Sequence, residues 1–174
     1  TAGETPPADA ERDQLILDMA NATVYTGDLR YSTRNERIPQ LAAQAAAARR
    51  LGRKDAEGMV LGNLGNAHRA LGDARRAITY HEQHLAIARE IGDRHGEGSA
   101  LGNLGNAHFA LGDARRAITY HEQDLAIRRE IGDRRGEGTA LGNLGSAHGA
   151  LGDARRAITY HEQALVIRRE IGDR

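Results

Sequence analysis

The amino-acid sequence predicts an all-α fold, an α-solenoid of stacked antiparallel helix pairs. Three observations lead there. The chain repeats itself with a period of 40 residues, apolar residues within each copy recur at helical spacing, and a Gly-Asp pair interrupts that spacing twice per copy. A two-helix unit cannot bury its apolar face alone, so units of this kind stack.

The copies are residues 57–96, 97–136 and 137–174. The first two differ only at Met59/Ser99, Val60/Ala100, Arg69/Phe109, His84/Asp124, Ala88/Arg128 and His95/Arg135. Residues 10–56 read as a divergent fourth helix pair. Leu17–Leu29 aligns with Gly62–Ala74 and Ala45–Arg53 with Leu85–Asp93, with an inserted loop near 29–35. Residues 1–9 read as a disordered lead-in with two prolines.

Within a unit, Leu61, Leu64, His68 and Leu71 stand at i, i+3, i+7 and i+10, one face of a first helix, A. Gly72 supplies a left-handed C-terminal residue and Asp73 an N-cap for the next helix. In that second helix, B, the residues Ala74, Ala77, Ile78, His81, Leu85 and Ile91 form the apolar face, and Gly92-Asp93 repeats the stop and cap.

Composition narrows the function. With 40% hydrophobic residues, 3% aromatics and no Trp, the core must come from Leu, Ile and Ala in closely approaching helices. Lys+Arg and Asp+Glu are both 24, which argues against nucleic-acid and anionic-membrane partners. Without cysteine there is no disulfide, thiol nucleophile or thiolate metal site. No apolar run reaches membrane-spanning length, so a cytoplasmic location is expected. The heavy Arg, Ala and Gly usage suggests a GC-rich bacterial origin.

The stretch "NLGNAHFALGDARRAITYHEQDLAI" resembles the tetratricopeptide repeat. Leu104, Gly105, Gly112, Asp113, Ala117 and Leu125 match its pattern, while Leu101, His108 and His121 replace its usual aromatics. The 40-residue period is similar to that of Pins-type adaptors and of arrays on bacterial signalling NTPases of the STAND class. The resemblance implies that helix A lines a concave groove for extended peptides or partner helices, with no catalysis and no cofactor.

The differences between copies point to the same edge. Met59, Ser99 and Thr139, then Asn66, Asn106 and Ser146, then Arg69, Phe109 and Gly149 vary within roughly 80° of helix A at about 100° per residue. The unvarying Asn63, Asn103 and Asn143 lie on that edge too. An amide that donates and accepts can hold a peptide backbone of any sequence; the other reading is a solvated or helix-bridging asparagine. The candidate peptide-binding residues are therefore Met59, Asn63, Asn66, Arg69, Ser99, Asn103, Asn106, Phe109, Thr139, Asn143 and Ser146. Arg69 and Phe109 would set specificity, unless Phe109 packs on a neighbouring helix. Gly62, Gly102 and Gly142 stand where some family members carry a carboxylate-clamping lysine. Positions 84/124/164 and 88/128/168 vary along one edge of helix B, and His84 reads as a packing substitution.

The repeated histidines invite a metal, but no third ligand repeats with them. His68, His108 and His148 on helix A and His81, His121 and His161 on helix B read first as buried pairs in which one imidazole donates to the other. A metal site and a pH switch remain as alternatives. "HEQH" at His81–His84 has one residue too few for HExxH, and becomes HEQD and HEQA in the next copies. "GNLGN" follows no strand and lacks the lysine of a phosphate loop.

The reading is a non-catalytic peptide- or protein-binding scaffold, part of a larger bacterial signalling or regulatory protein. The alternative is a self-associating element. No polar capping helix follows the last copy, so Ile158, Leu165 and Ile171 should be partly uncovered and pair with another chain or with further repeats.

Overall fold

The computed structural model describes residues 7–25 and 33–172. These residues form eight α-helices in antiparallel pairs: α1 (Pro7–Tyr25) and α2 (Ile38–Arg50), α3 (Lys54–Ala70) and α4 (Ala74–Ile91), α5 (Arg94–Ala110) and α6 (Ala114–Glu130), α7 (Arg134–Ala150) and α8 (Ala154–Glu170). A π-helical turn, Thr33–Arg37, leads into α2. Of the stretch read as a lead-in, 1–6 lie outside the described residues, and Pro7–Asp9 form the first turn of α1. Residues 29–32 of the expected inserted loop also lie outside them, and the remainder enters the π-helical turn. The A helices start at Lys54, Arg94 and Arg134, so cuts at 57, 97 and 137 pass through their first turns.

The Gly-Asp breaks act as their chemistry dictates. Gly72 takes φ +76°, which a side chain would resist. The Asp73 amide then donates to the His68 carbonyl at 2.9 Å and the Gly72 amide to Arg69 at 2.9 Å, closing a Schellman motif. The Asp73 carboxylate accepts the Arg76 amide at 3.1 Å, so one residue ends α3 and caps α4. Asp93 and Asp133 cap α5 and α7 in the same way, through the Gly96 and Gly136 amides. The connections need no further residues, which forces consecutive helices to lie antiparallel.

Each core cluster joins three helices. Leu101, Leu104 and Ala100 of α5 pack between Leu85 and Ile78 of α4 and Ile127 and Tyr120 of α6. Leu141, Leu144 and Ala140 of α7 repeat this between α6 and α8, and Leu61 and Leu64 of α3 between α2 and α4. Units are thus welded by shared apolar clusters rather than closed individually. Two face assignments need correction. Leu111 and Leu151, at the turns, are exposed, because the helix has already ended there. Ile91, Ile131 and Ile171 are all exposed, so Ile171 is uncovered by its place at the helix end, not by want of a following unit.

An ionic ladder runs along the same seams. Buried Glu97 accepts from Arg89 of α4 at 2.7 Å and from Arg94, and Arg94 also binds Glu130 of α6. Arg129, Glu137, Arg134 and Glu170 repeat the pattern one unit on. Burial works against the Glu97 charge, but the two guanidiniums hold its carboxyl below the usual range.

Candidate functional site

Among the described residues the backbones of neighbouring A helices approach one another closely, α3 to α5 and α5 to α7, whereas those of α4 and α6, and of α6 and α8, do not. The stack therefore bends with its A helices on the inner side. The buried side of each A helix carries the leucines, Ala67 and its equivalents, and the histidine; the opposite side carries the eleven predicted residues.

Met59 is 62% exposed and Phe109 41%. Arg69, Thr139 and Ser146 are exposed, and Ser99 and all five asparagines are half-buried. The side chains of Asn63, Asn66, Asn103, Asn106 and Asn143 make no hydrogen bond among the described residues, and Arg69 makes no ion pair there. The hydroxyls differ. Ser99 donates to the His95 carbonyl at 2.9 Å, Thr139 to Arg135 at 3.1 Å and Ser146 to Gly142 at 3.1 Å. These three are engaged with their own helices, while the amides keep their full capacity.

Of the positions that vary along one edge of helix B, 88, 124, 128 and 164 are buried, His84 is half-buried and Arg168 is exposed. Asp124 and Arg128 are buried between α5, α6 and α7. The Arg128 guanidinium donates to Asp124 at 2.9 Å, to Asp133 at 2.8 Å and to the Ser99 hydroxyl at 3.1 Å. Burial pushes the Asp124 carboxyl up, and Arg128 opposes the shift. Side chains at this register lie over helix A glycines. A β-carbon on Gly62 would stand 3.0 Å from the His84 ring, and one on Gly102 2.8 Å from the Asp124 carboxylate; over Gly142 there is nothing within 4 Å. Substitution at 84, 124 and 164 thus changes what fills one interhelical slot.

The expected histidine pairs do not form. His68, His108 and His148 stack on Tyr80, Tyr120 and Tyr160 with centroids 5.2, 5.2 and 5.3 Å apart. His81 instead lies against Gly65, and both its ring nitrogens lack a partner. His121 lies against Gly105 in the same way. Burial brings both imidazoles down to about 4. His161, expected in the core, is exposed, because among the described residues no helix covers that side of α8. Among the described residues no three His, Asp or Glu side chains gather as a metal site. A cavity of about 470 Å³ lined by Ile78, His108, Leu111 and Tyr120 opens between α4 and the α5–α6 turn, away from all eleven residues.

The ionic ladder, the Asp124–Arg128 network and the His–Gly contacts were not read from the sequence. The signal for the last was present. Gly65 and His81 recur together in each unit, and a mid-helix glycine costs about 1 kcal/mol relative to Ala unless something occupies its space.

Residues 57–130 and 96–170 match the tetratricopeptide repeat family model, and the chain belongs to that family. Tetratricopeptide arrays generally serve as protein-interaction scaffolds. The chain is similar to the tetratricopeptide domain of Arabidopsis FLU, at 25% identity and a TM-score of 0.64, covering 68% of this chain and 98% of that one. It is also similar to a STAND signal-transduction ATPase with a tetratricopeptide repeat sensor from Pyrococcus horikoshii, at 19% identity and a TM-score of 0.73. That match covers 80% of this chain and 22% of that one. Aspartyl phosphate phosphatase F from Bacillus subtilis aligns at 16% identity and a TM-score of 0.73, covering 95% and 42% of the two chains. No curated protein sequence matches the chain. No helix among the described residues is long and apolar enough to cross a membrane.

Proposed function

We propose that the chain is a non-catalytic scaffold that holds an extended protein or peptide segment along the inner face of its A helices. The observation that carries this reading is the set of five half-buried asparagine amides without a partner among the described residues. Half-buried amides left unpaired by the protein are positioned to exchange water for a peptide backbone. Arg69 and Phe109, one unit apart on the same edge, give the backbone grip a direction: an anionic residue at the first and an apolar one at the second. The Arg-, Ala- and Gly-rich composition and the 40-residue period support a place within a larger bacterial cytoplasmic signalling or regulatory protein. Neither nucleic acid nor membrane enters this reading, because the chain has no basic excess.

The test is a selection of displayed random dodecapeptides on the chain. Selected peptides should lose binding at least tenfold when Asn63, Asn103 and Asn143 are all replaced by Ala, and also in the Arg69→Ala/Phe109→Ala pair, with melting temperatures nearly unchanged. Peptides that bind these variants as well as the parent would remove the groove reading.

A second reading rests on α8. Ile158 is 59% and Leu165 47% exposed, whereas Leu125, the equivalent of Leu165 one unit earlier, is 7% exposed under α7. That face suits self-association. Light scattering at high concentration should then show a dimer that Leu165→Glu dissolves; a monomer throughout would sink it.

A further inference from the structure

We propose that the cavity between α4 and the α5–α6 turn is a site for a small zwitterion, a molecule whose carboxylate and ammonium are separated by an apolar body. Arg75 takes the carboxylate and Glu82 the ammonium. The site lies away from the inner face and does not depend on the groove reading.

The cavity, about 470 Å³, is of a size that suits a small ligand. Its walls are apolar in the middle. Ile78 of α4 packs with Tyr120, Tyr120 stacks on buried His108 at 5.2 Å and 17°, and Leu111 closes the turn side. Four charged side chains surround this middle, and two of them neutralise each other. Asp113 accepts the Arg116 amide at 3.1 Å and stands 3.4 Å from its guanidinium. The side chains of Arg75 and Glu82 are exposed, and neither makes a hydrogen bond or ion pair among the described residues. They stand two turns apart on α4, about 20° apart around it and about 10 Å along it, with Ile78 between them. Helix charges pair at a spacing of one turn, so this spacing leaves room for an occupant. Burial depresses the His108 pKa, and Asp113 and, from across the seam, Glu82 act against that shift. The Glu82 charge therefore bears on the cavity interior.

The other seams of the array offer a comparison. The following one keeps every part: Arg115, Ile118 and Glu122 on α6, Leu151 at the turn, and a His148–Tyr160 stack at 5.3 Å and 17°. The first seam keeps only the apolar part. Ile38 and Tyr80 pack on one cluster there and His68 stacks on Tyr80, but Asn35 and Ala42 stand at the positions of Arg75 and Glu82. The seam thus packs without either charge, and the two charges are present together or absent together, as the two ends of one ligand require. Arginine holds a carboxylate by paired, charge-assisted hydrogen bonds. The ligand's body would leave water against Ile78 and the stacked rings, and its ammonium would meet Glu82.

The test titrates the ¹⁵N-labelled chain with 6-aminohexanoate, with hexanoate, which lacks the ammonium, and with hexylammonium, which lacks the carboxylate. The zwitterion should shift the Leu111 and Leu151 amide resonances saturably and leave Leu71, at the first seam, in place. Hexanoate and hexylammonium should each bind at least tenfold more weakly. Arg75→Gln/Arg115→Gln and Glu82→Gln/Glu122→Gln change only exposed side chains, so both should melt as the parent does. Each should weaken the zwitterion at least tenfold. The first pair should also weaken hexanoate and spare hexylammonium, and the second pair the reverse. The site is refuted if 6-aminohexanoate shifts neither Leu111 nor Leu151, or if it shifts Leu71 equally. It is refuted as well if either singly charged probe binds as tightly as the zwitterion, or if either double variant binds it unchanged.

Discussion

The His81 imidazole lies so close over Gly65 that a β-carbon there would overlap its Cε1 atom. His121 and Gly105 repeat the arrangement one unit on. A mid-helix glycine normally weakens a helix, and these two do so to admit a ring that separates helix A from helix B.

Alanine substitution should therefore change sign along the array. Gly→Ala favours an exposed helix by about 0.8–1 kcal/mol, but forcing atoms into a filled core costs about 1–3 kcal/mol. Gly105→Ala should lower stability by up to about 2 kcal/mol, the difference of the two terms. Gly142→Ala, with open space above it, should raise stability by up to about 1 kcal/mol. Urea denaturation of both variants beside the parent checks the pair; matching shifts of one sign would contradict the steric account.

Acid should loosen the stack before it reaches ordinary carboxylates. His81 and His121 have a folded value of about 4 against the usual 6.5. Between those limits the unfolded chain takes up protons that the folded chain refuses, so stability is full above 6.5 and falls as pH drops towards 4. Each buried ring accounts for about 3 kcal/mol across the whole window. The neighbours that face His81 are His84 and Arg69, both of which further disfavour its charge. Urea midpoints at pH 7.5 and 5 should differ markedly, and the double His81→Phe/His121→Phe variant should lose most of that difference.

The ionic ladder should matter most at its buried rung. Glu97→Ala leaves Arg89 and Arg94 facing a vacated seam, a loss of about 1–2 kcal/mol once screening of the exposed guanidiniums is allowed for. Glu97→Gln should recover part of it by keeping one acceptor. Melting both variants at low and high salt separates hydrogen bonding from charge, because only the parent should lose stability as salt rises.

Equivalent leucines should respond oppositely to charge. Leu125→Glu buries a carboxylate beneath α7 and should unfold the last two units, whereas Leu165→Glu on the open face of α8 should leave the melting temperature within about 1 °C. Circular dichroism on the two single variants decides it.

Helix, turn and unit order were readable because each depends on spacing. The Leu61–Leu64–His68 stripe and the Gly72-Asp73 break have local causes, and both fold as the pattern requires. Pairings across the stack were not readable in that way. His68 and His81 look like partners because both replace aromatics, yet His68 meets Tyr80 and His81 meets a glycine. Asp124 and Arg128 were legible only as variation along one edge of helix B; the third dimension shows Ser99 and Asp133 converging on the same guanidinium. The eleven predicted residues came from the differences between copies, angular position and the family resemblance, which explains why their shared edge was legible and the engagement of Ser99 was not.

Near-copies in one chain offer the same alanine, isoleucine, histidine and leucine on successive B helices, so those residues alone do not distinguish one seam from the next. The short turns fix the order covalently, and Arg128 marks one seam chemically. From α6 it reaches both Ser99 of α5 and Asp133 at the start of α7, and the matching position on α4 is Ala88, which has no donor to offer. One buried guanidinium thus works as a bookmark, setting one page apart from others that read alike.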